Sequence, residues 1–273
     1  MVLRKKRHRE EKMIILAIEA SGAAAGCAVA ADGVIRGEFE TQFKKTHSQT
    51  LVPMMDALRR ILGFDMKDVG AVSLTAGPGS FTGLRIGAAT AKGLGLALGI
   101  PLIPVPTLES LAYNVFGTDA LVCPIMDARR QQVYTGIYEE KDHPVVLRDQ
   151  CAVPVSEIIE DLNARGREVI FLGDGVPVYK DVIRAQMRVP YLFAPAHLNA
   201  QRAASTAALA SYYLETRKEA CLVNADDFRP TYLRKSQAER QREEAEREGA
   251  MDALAAGRLV KEERERAKEQ RKE

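Results

Sequence analysis

The run Ala76-Gly77-Pro78-Gly79-Ser80-Phe81-Thr82-Gly83 sets a glycine-rich turn directly before a helix start. Val69 to Thr75 ahead of it is apolar and β-branched, as a buried strand requires, and Ser80 is a favoured N-cap for a helix opening at Phe81. A strand, turn and helix joined in this way present backbone N–H groups at the positive end of the helix dipole, a seat for an anion such as phosphate. Gly77, Gly79 and Ser80 are therefore candidate phosphate-binding residues. The run has neither Walker A nor GxGxxG spacing, so a tight turn without a ligand is the other reading.

The remaining chemistry-bearing side chains are scattered. His47 and Ser48 are adjacent, but neighbours on a helix point about 100° apart and no acid stands ready to orient the imidazole, so they read as a polar helix start rather than a hydrolytic pair. In Asp127-Ala128-Arg129-Arg130, Asp127 is placed to cap a turn or to pair with Arg129, and His143 beside Pro144 reads as a surface turn. The four cysteines (27, 123, 151, 221) and four histidines (8, 47, 143, 197) lack metal-ligand spacing, so no metal site is expected. Widely spaced cysteines fit a reducing, cytoplasmic setting.

The elements that must position these groups follow from periodicity. Met13 to Ile18 is a continuous apolar run suited to a central strand, and Asp32-Gly33 between two strand-like runs is a two-residue hairpin signal. Thr46 to Leu62 carries Leu51, Met54, Met55, Leu58 and Ile61 at helical spacing. The helix over 81–99 places Gly83, Gly87, Ala91, Gly95 and Gly99 four apart, one smooth ridge. Each helical glycine costs roughly 1 kcal/mol relative to alanine, so close contact must offset them, made either with the sheet beneath or with another chain. With a short strand at 100–105 and a helix from Thr107, the order β-β-β-α-β-α-β-α is that of a ribonuclease H-like unit. A second block opens near Ala120, with strands at 121–126, 132–139, 145–150 and 169–172 and helices at 156–164, 176–186 and 200–214.

At 273 residues the chain suffices for two modest domains, expected at 13–117 and 118–235, after a basic extension over 1–12 and before a charged tail over 236–273. A net charge of +2, from 39 basic and 37 acidic groups, sets up no global field toward nucleic acid. RNA contact would have to be local, through Arg229, Arg234, Lys235, Arg240 and Arg242, where neighbouring acids oppose it. No apolar run reaches bilayer-spanning length, and the six apolar residues before Glu19 are too few for an export signal.

The segments Ile15-Leu16-Ala17-Ile18-Glu19-Ala20-Ser21, Lys45-Thr46-His47-Ser48-Gln49 with Leu51 and Pro53, the run at 76–87, and Val105-Pro106-Thr107-Leu108-Glu109-Ser110-Leu111 together resemble the TsaB (YeaZ) family over about residues 13–235. The resemblance implies an α/β, actin-like and Hsp70-like ATPase fold of two ribonuclease H-like domains with a degenerate active site. It implies an accessory, non-catalytic subunit that dimerises with the TsaD transferase, which forms N6-threonylcarbamoyladenosine at position 37 of ANN-decoding tRNAs. TsaE is the implied third, ATP-hydrolysing component, with ATP or ADP at the complex interface, tRNA reached through the complex, and a homodimer open to the free chain. TsaD carries a His-x-Glu-x-His metal motif where this chain has Thr107-Leu108-Glu109-Ser110-Leu111, which leaves Glu109 alone. Glu19 stands where active members of the fold place an aspartate for nucleotide-bound metal. The expected partner interface is His47, Leu51, Met54, Met55, Leu58, Gly83, Gly87, Ala91 and Gly95, adaptable methionines beside a smooth ridge. A nucleotide hydrolase or glycoprotease-like peptidase acting alone is the alternative.

Overall fold

The computed structural model describes residues 13–42 and 46–234. Its first half lays down β1 (Ile14–Glu19), β2 (Ala25–Ala31), β3 (Val34–Thr41), α1 (His47–Leu62), β4 (Val69–Thr75), α2 (Phe81–Leu98), β5 (Leu102–Val105) and α3 (Thr107–Ala112). The second half continues with β6 (Leu121–Asp127), β7 (Gln132–Glu140), β8 (Pro144–Pro154), α4 (Val155–Arg165), β9 (Val169–Leu172), α5 (Val176–Gln186), β10 (Tyr191–Phe193) and α6 (Ala203–Arg217). The strand orders are β3-β2-β1-β4-β5 and β10-β9-β6-β7-β8. Read from the first strand of each block, these are one order used twice. In both, three strands pair antiparallel and the fourth and fifth join parallel on the other side of the first.

Hydrophobic patterning explains the layers. Along β1, Leu16 and Ile18 point into a core with Leu51, Met55 and Leu58 of α1 and Ala88 and Ala91 of α2. The alternate residues Ile15 and Ala17 meet Ala203, Ala207 and Ala210 of α6. A central strand covered on both faces reads as an unbroken apolar run, as the sequence has it. Asp32 and Gly33 both take positive φ, 54° and 70°, the geometry of a type I′ hairpin turn. In the second half, α4 and α5 cover one face of the sheet through Ile158, Ile159, Leu162 and Ile183. Leu108 and Leu111 of α3 pack against Val122, Tyr138 and Leu172 on the other.

The chain does not divide at 117/118 into two self-contained pieces. α6 packs on β1, β2 and β3, and Leu102 of β5 forms a bridge with Val223, so the segment after residue 200 returns to the first sheet. Small side chains on α6 permit this, since Ala203, Ala207 and Ala210 meet Ala17 and Ala28 at close range. Glu38 of β3 holds the start of α6 by accepting from the Ala204 N–H at 2.8 Å and pairing with Arg202. The extension at 1–12 and the tail at 236–273 lie outside the described residues, as does Lys45. No helix among the described residues is long and apolar enough to cross a membrane.

Candidate functional site

Glu19 closes β1 and is wholly buried. Its Oε1 accepts from the Ser21 N–H at 2.6 Å, the Ser21 hydroxyl at 2.5 Å and the Thr75 hydroxyl at 3.3 Å. Burial pushes its carboxyl up to about 7, against the lowering effect of those donors. Its Oε1 is thus held by Ser21 just after β1 and Thr75 at the end of β4, while Oε2 is buried without a hydrogen-bond partner among the described residues.

The glycine-rich turn is committed in the same way. The Ser80 N–H donates to the Ser21 carbonyl at 2.6 Å, the Gly77 carbonyl accepts from the Thr107 N–H at 3.0 Å, and the Ala76 carbonyl accepts from the Thr231 N–H at 2.7 Å. A Cβ on Gly77 would lie 2.2 Å from the Thr231 carbonyl oxygen, and one on Gly79 would lie 2.3 Å from that of Ser21. The glycines serve close approach to the chain's own backbone. Ser80 acts as the expected N-cap, its hydroxyl accepting from the Gly83 N–H at 3.3 Å.

Glu109 is buried in α3, and burial is the main influence raising its carboxyl, with Tyr213 and Arg217 of α6 opposing. Arg217 lies 3.7 Å from its Oε1. The neighbouring Ser110 and Thr206 hydroxyls share a 2.8 Å hydrogen bond. This stretch therefore fastens α3 to α6. Among the described residues no three His, Cys, Asp or Glu side chains gather in metal-ligand geometry. His47 meets the Gly22 carbonyl through Nε2 at 3.1 Å, whereas Ser48 bonds Thr46, so the two do not form a pair. Asp127 fills both expected roles, accepting from the Arg129 N–H at 2.8 Å and pairing with its guanidinium at 3.4 Å.

Most of the residues expected at a partner interface face inward, His47 and Met54 being half-buried. Leu51, Met55 and Leu58 are buried in the first core, and Met54 is packed against it. A Cβ on Gly83 would lie 2.1 Å from the Ala20 carbonyl oxygen, one on Gly87 3.1 Å from the Ala20 Cβ, and one on Gly95 2.9 Å from the Ala225 Cβ. Ala91 is wholly buried. The ridge of α2 is thus the seat of its own sheet and of the returning C-terminal segment, which corrects its placement at an interface.

A second stripe of α2 was missed. Thr82, Ile86, Ala89, Gly93 and Ala97 recur at four, three, four and four residues, about 150° around the helix from the ridge. Gly93 has nothing within 4 Å of where a Cβ would stand. Leu96 nearby is 55% exposed, and α1 leaves Val52 and Ile61 exposed at 55% and 70%. The sequence did carry one signal for this face: Gly93 is out of phase with the four-residue ridge, so the ridge cannot account for it.

Two mixed sheets of the same strand order, each flanked by helices, define an actin-like ATPase fold built from two ribonuclease H-like units. A family model described as TsaD, tRNA N6-adenosine threonylcarbamoyltransferase, matches residues 39–242. The tRNA threonylcarbamoyladenosine biosynthesis protein TsaB of Bacillus subtilis is 35% identical over 229 residues, covering 83% of this chain and 96% of that one. Its Escherichia coli counterpart is 31% identical over 174 residues, 62% of this chain and 75% of that one. The solved structure of YeaZ from Pseudomonas aeruginosa superposes with a TM-score of 0.69 at 26% identity, covering 81% of this chain and all of that one. The chain belongs to the TsaB (YeaZ) family.

Proposed function

We propose that this chain is a non-catalytic partner of the TsaD transferase in forming N6-threonylcarbamoyladenosine at position 37 of ANN-decoding tRNAs. It docks the transferase through the outward stripe of α2 with the flanking side of α1. The observation that carries this reading is Gly93, a mid-helix glycine on an exposed face with open space above it. Such a glycine costs roughly 1 kcal/mol against alanine, and no contact among the described residues offsets it. A partner backbone approaching the smooth surface of Ala89, Gly93 and Ala97 does. The names of the relatives place them in threonylcarbamoyladenosine biosynthesis, which supports the pathway.

An accessory role is further supported by the inward commitment of Glu19 and of the Gly77–Ser80 turn, the two places where the fold would bind nucleotide and metal. ATP hydrolysis then falls to TsaE, nucleotide sits at the complex interface, and the same α2 face accounts for self-pairing of the free chain in the cytoplasm. The test is threonylcarbamoyl transfer to tRNA by TsaD and TsaE of the same organism, with and without this chain. Transfer that requires this chain in a co-eluting complex is the expected result. Full transfer in its absence, or magnesium-dependent ATP turnover by this chain alone, overturns the proposal.

A further inference from the structure

The segment from Val223 to Leu233 runs back along α2, bridging Leu102 at Val223, meeting Gly95 at Ala225 and bonding Ala76 at Thr231. It brings Tyr232 onto Phe81, ring centroids 4.7 Å apart, and Arg85 lies over the other part of the stack with its guanidinium carbon 3.9 Å from the Phe81 centroid. Tyr232 is 39% exposed. Phe81, Arg85 and Lys92, at i, i+4 and i+11, form one helical stripe about 100° around from Gly93. Lys92 Nζ donates to the Asp226 and Phe228 carbonyls at 3.3 Å each. Arg229 Nη1 donates to the same two oxygens at 2.6 and 2.8 Å.

Two cations thus converge on one pair of carbonyl oxygens, and a third caps an exposed aromatic stack about 10 Å along the helix. Like charges brought together on neutral acceptors favour an anion beside them. Asp226 and Asp227 are in the same segment, Asp227 being engaged by the Asn224 amide at 3.4 Å, so the local excess of positive charge is small. Cations flanking a partly exposed aromatic face can still meet a nucleotide strand, phosphates on the cations and a base on the ring.

We propose that Tyr232, Phe81 and Arg85, with Lys92 and Arg229, form a contact for an unpaired stretch of RNA on this chain itself. The site rests on the reading above that the chain works in a tRNA-modifying complex, and it lies beside the docking stripe, so partner and RNA can be held together. It goes beyond that reading in placing RNA contact on the accessory subunit.

The test uses the assembled complex of this chain with its transferase and unmodified tRNA, with affinity read by fluorescence anisotropy across a salt series. Tyr232→Ala weakens tRNA binding about tenfold and leaves the salt slope unchanged, while Tyr232→Phe binds as the parent does. Arg85→Ala weakens binding and lowers the slope of log affinity against log salt by about 0.7 to 0.9. Parental affinity and slope in both alanine variants, with assembly intact on size exclusion, overturn the proposal. Loss of assembly instead of RNA affinity also overturns it, by making the strip a protein contact. Failure of the parent chain to assemble with the transferase strikes the functional reading and is seen before any variant is made.

Discussion

Glu140, at the end of β7, is wholly buried, and neither of its carboxylate oxygens has a hydrogen-bond partner among the described residues. Burial, and then repulsion from Glu109, push its carboxyl from 4.5 up to about 8. The native state therefore keeps a proton that the unfolded chain releases, and stability falls as pH rises from about 4.5 to about 8. The whole gap corresponds to about 5 kcal/mol, reached above pH 8. Glu140→Gln keeps the shape and removes the charge, though an unpartnered buried amide retains a penalty of about 1–3 kcal/mol. The variant should exceed the parent by about 2–4 kcal/mol at pH 8.5 in urea unfolding, with the advantage vanishing or reversing at pH 5. Curves of stability against pH that run parallel for the two proteins would refute the argument, because they would mean that Glu140 is solvated or paired.

Gly93→Leu should leave the melting temperature near that of the parent and abolish complex formation on size exclusion, whereas Gly87→Leu should unfold the chain, its Cβ site being 3.1 Å from Ala20. The reverse pattern would return the interface to the ridge. Gly79→Ala places a methyl group 2.3 Å from the Ser21 carbonyl oxygen and should cost several kcal/mol in denaturant unfolding, a loss that a ligand-binding loop open to solvent would not show. Glu19→Gln can keep the acceptor for Ser21 and Thr75, so it should match the parent at pH 5 and gain stability above pH 7, where the parent carries a buried charge. Threonylcarbamoyl transfer by the complex should be unchanged in that variant. A large loss of transfer with normal folding would give Glu19 a chemical role.

Local signals made most of the elements legible. The bounds of α1, β4 and α2 were readable because a cap, a turn and a regular apolar spacing coincide at each end, as at Ser80 and Gly99. Three residues were too few for β10 to show above its surroundings, and Leu192 in it is exposed, which removes the alternation that marks a strand. The return of α6 to the first sheet was not legible, because a helix of small residues buried on one side and a helix of its own domain share the same pattern. The site was harder still. Spacing showed that Gly83, Gly87, Ala91 and Gly95 line one ridge but not which of two close surfaces the ridge meets, and only the positions of Ala20 and Ala225 decide that.

An actin-like ATPase needs its acid and its glycine turn free to meet a nucleotide, and it needs the connections between its halves to yield as it closes. Here Glu19 holds Ser21 and Thr75, and Thr231 sits against Gly77. The crossing between halves is fastened by Ser110 to Thr206 and by Asn114, which bonds the Leu198 and Ala200 carbonyls and the Ser205 hydroxyl. Each such bond is worth only about 1 kcal/mol net, but breaking the set together would leave buried donors unmet and cost more than their sum. Such bonds favour presenting a fixed surface. The same bonds keep α2, its outward stripe and the Tyr232 stack in register with one another.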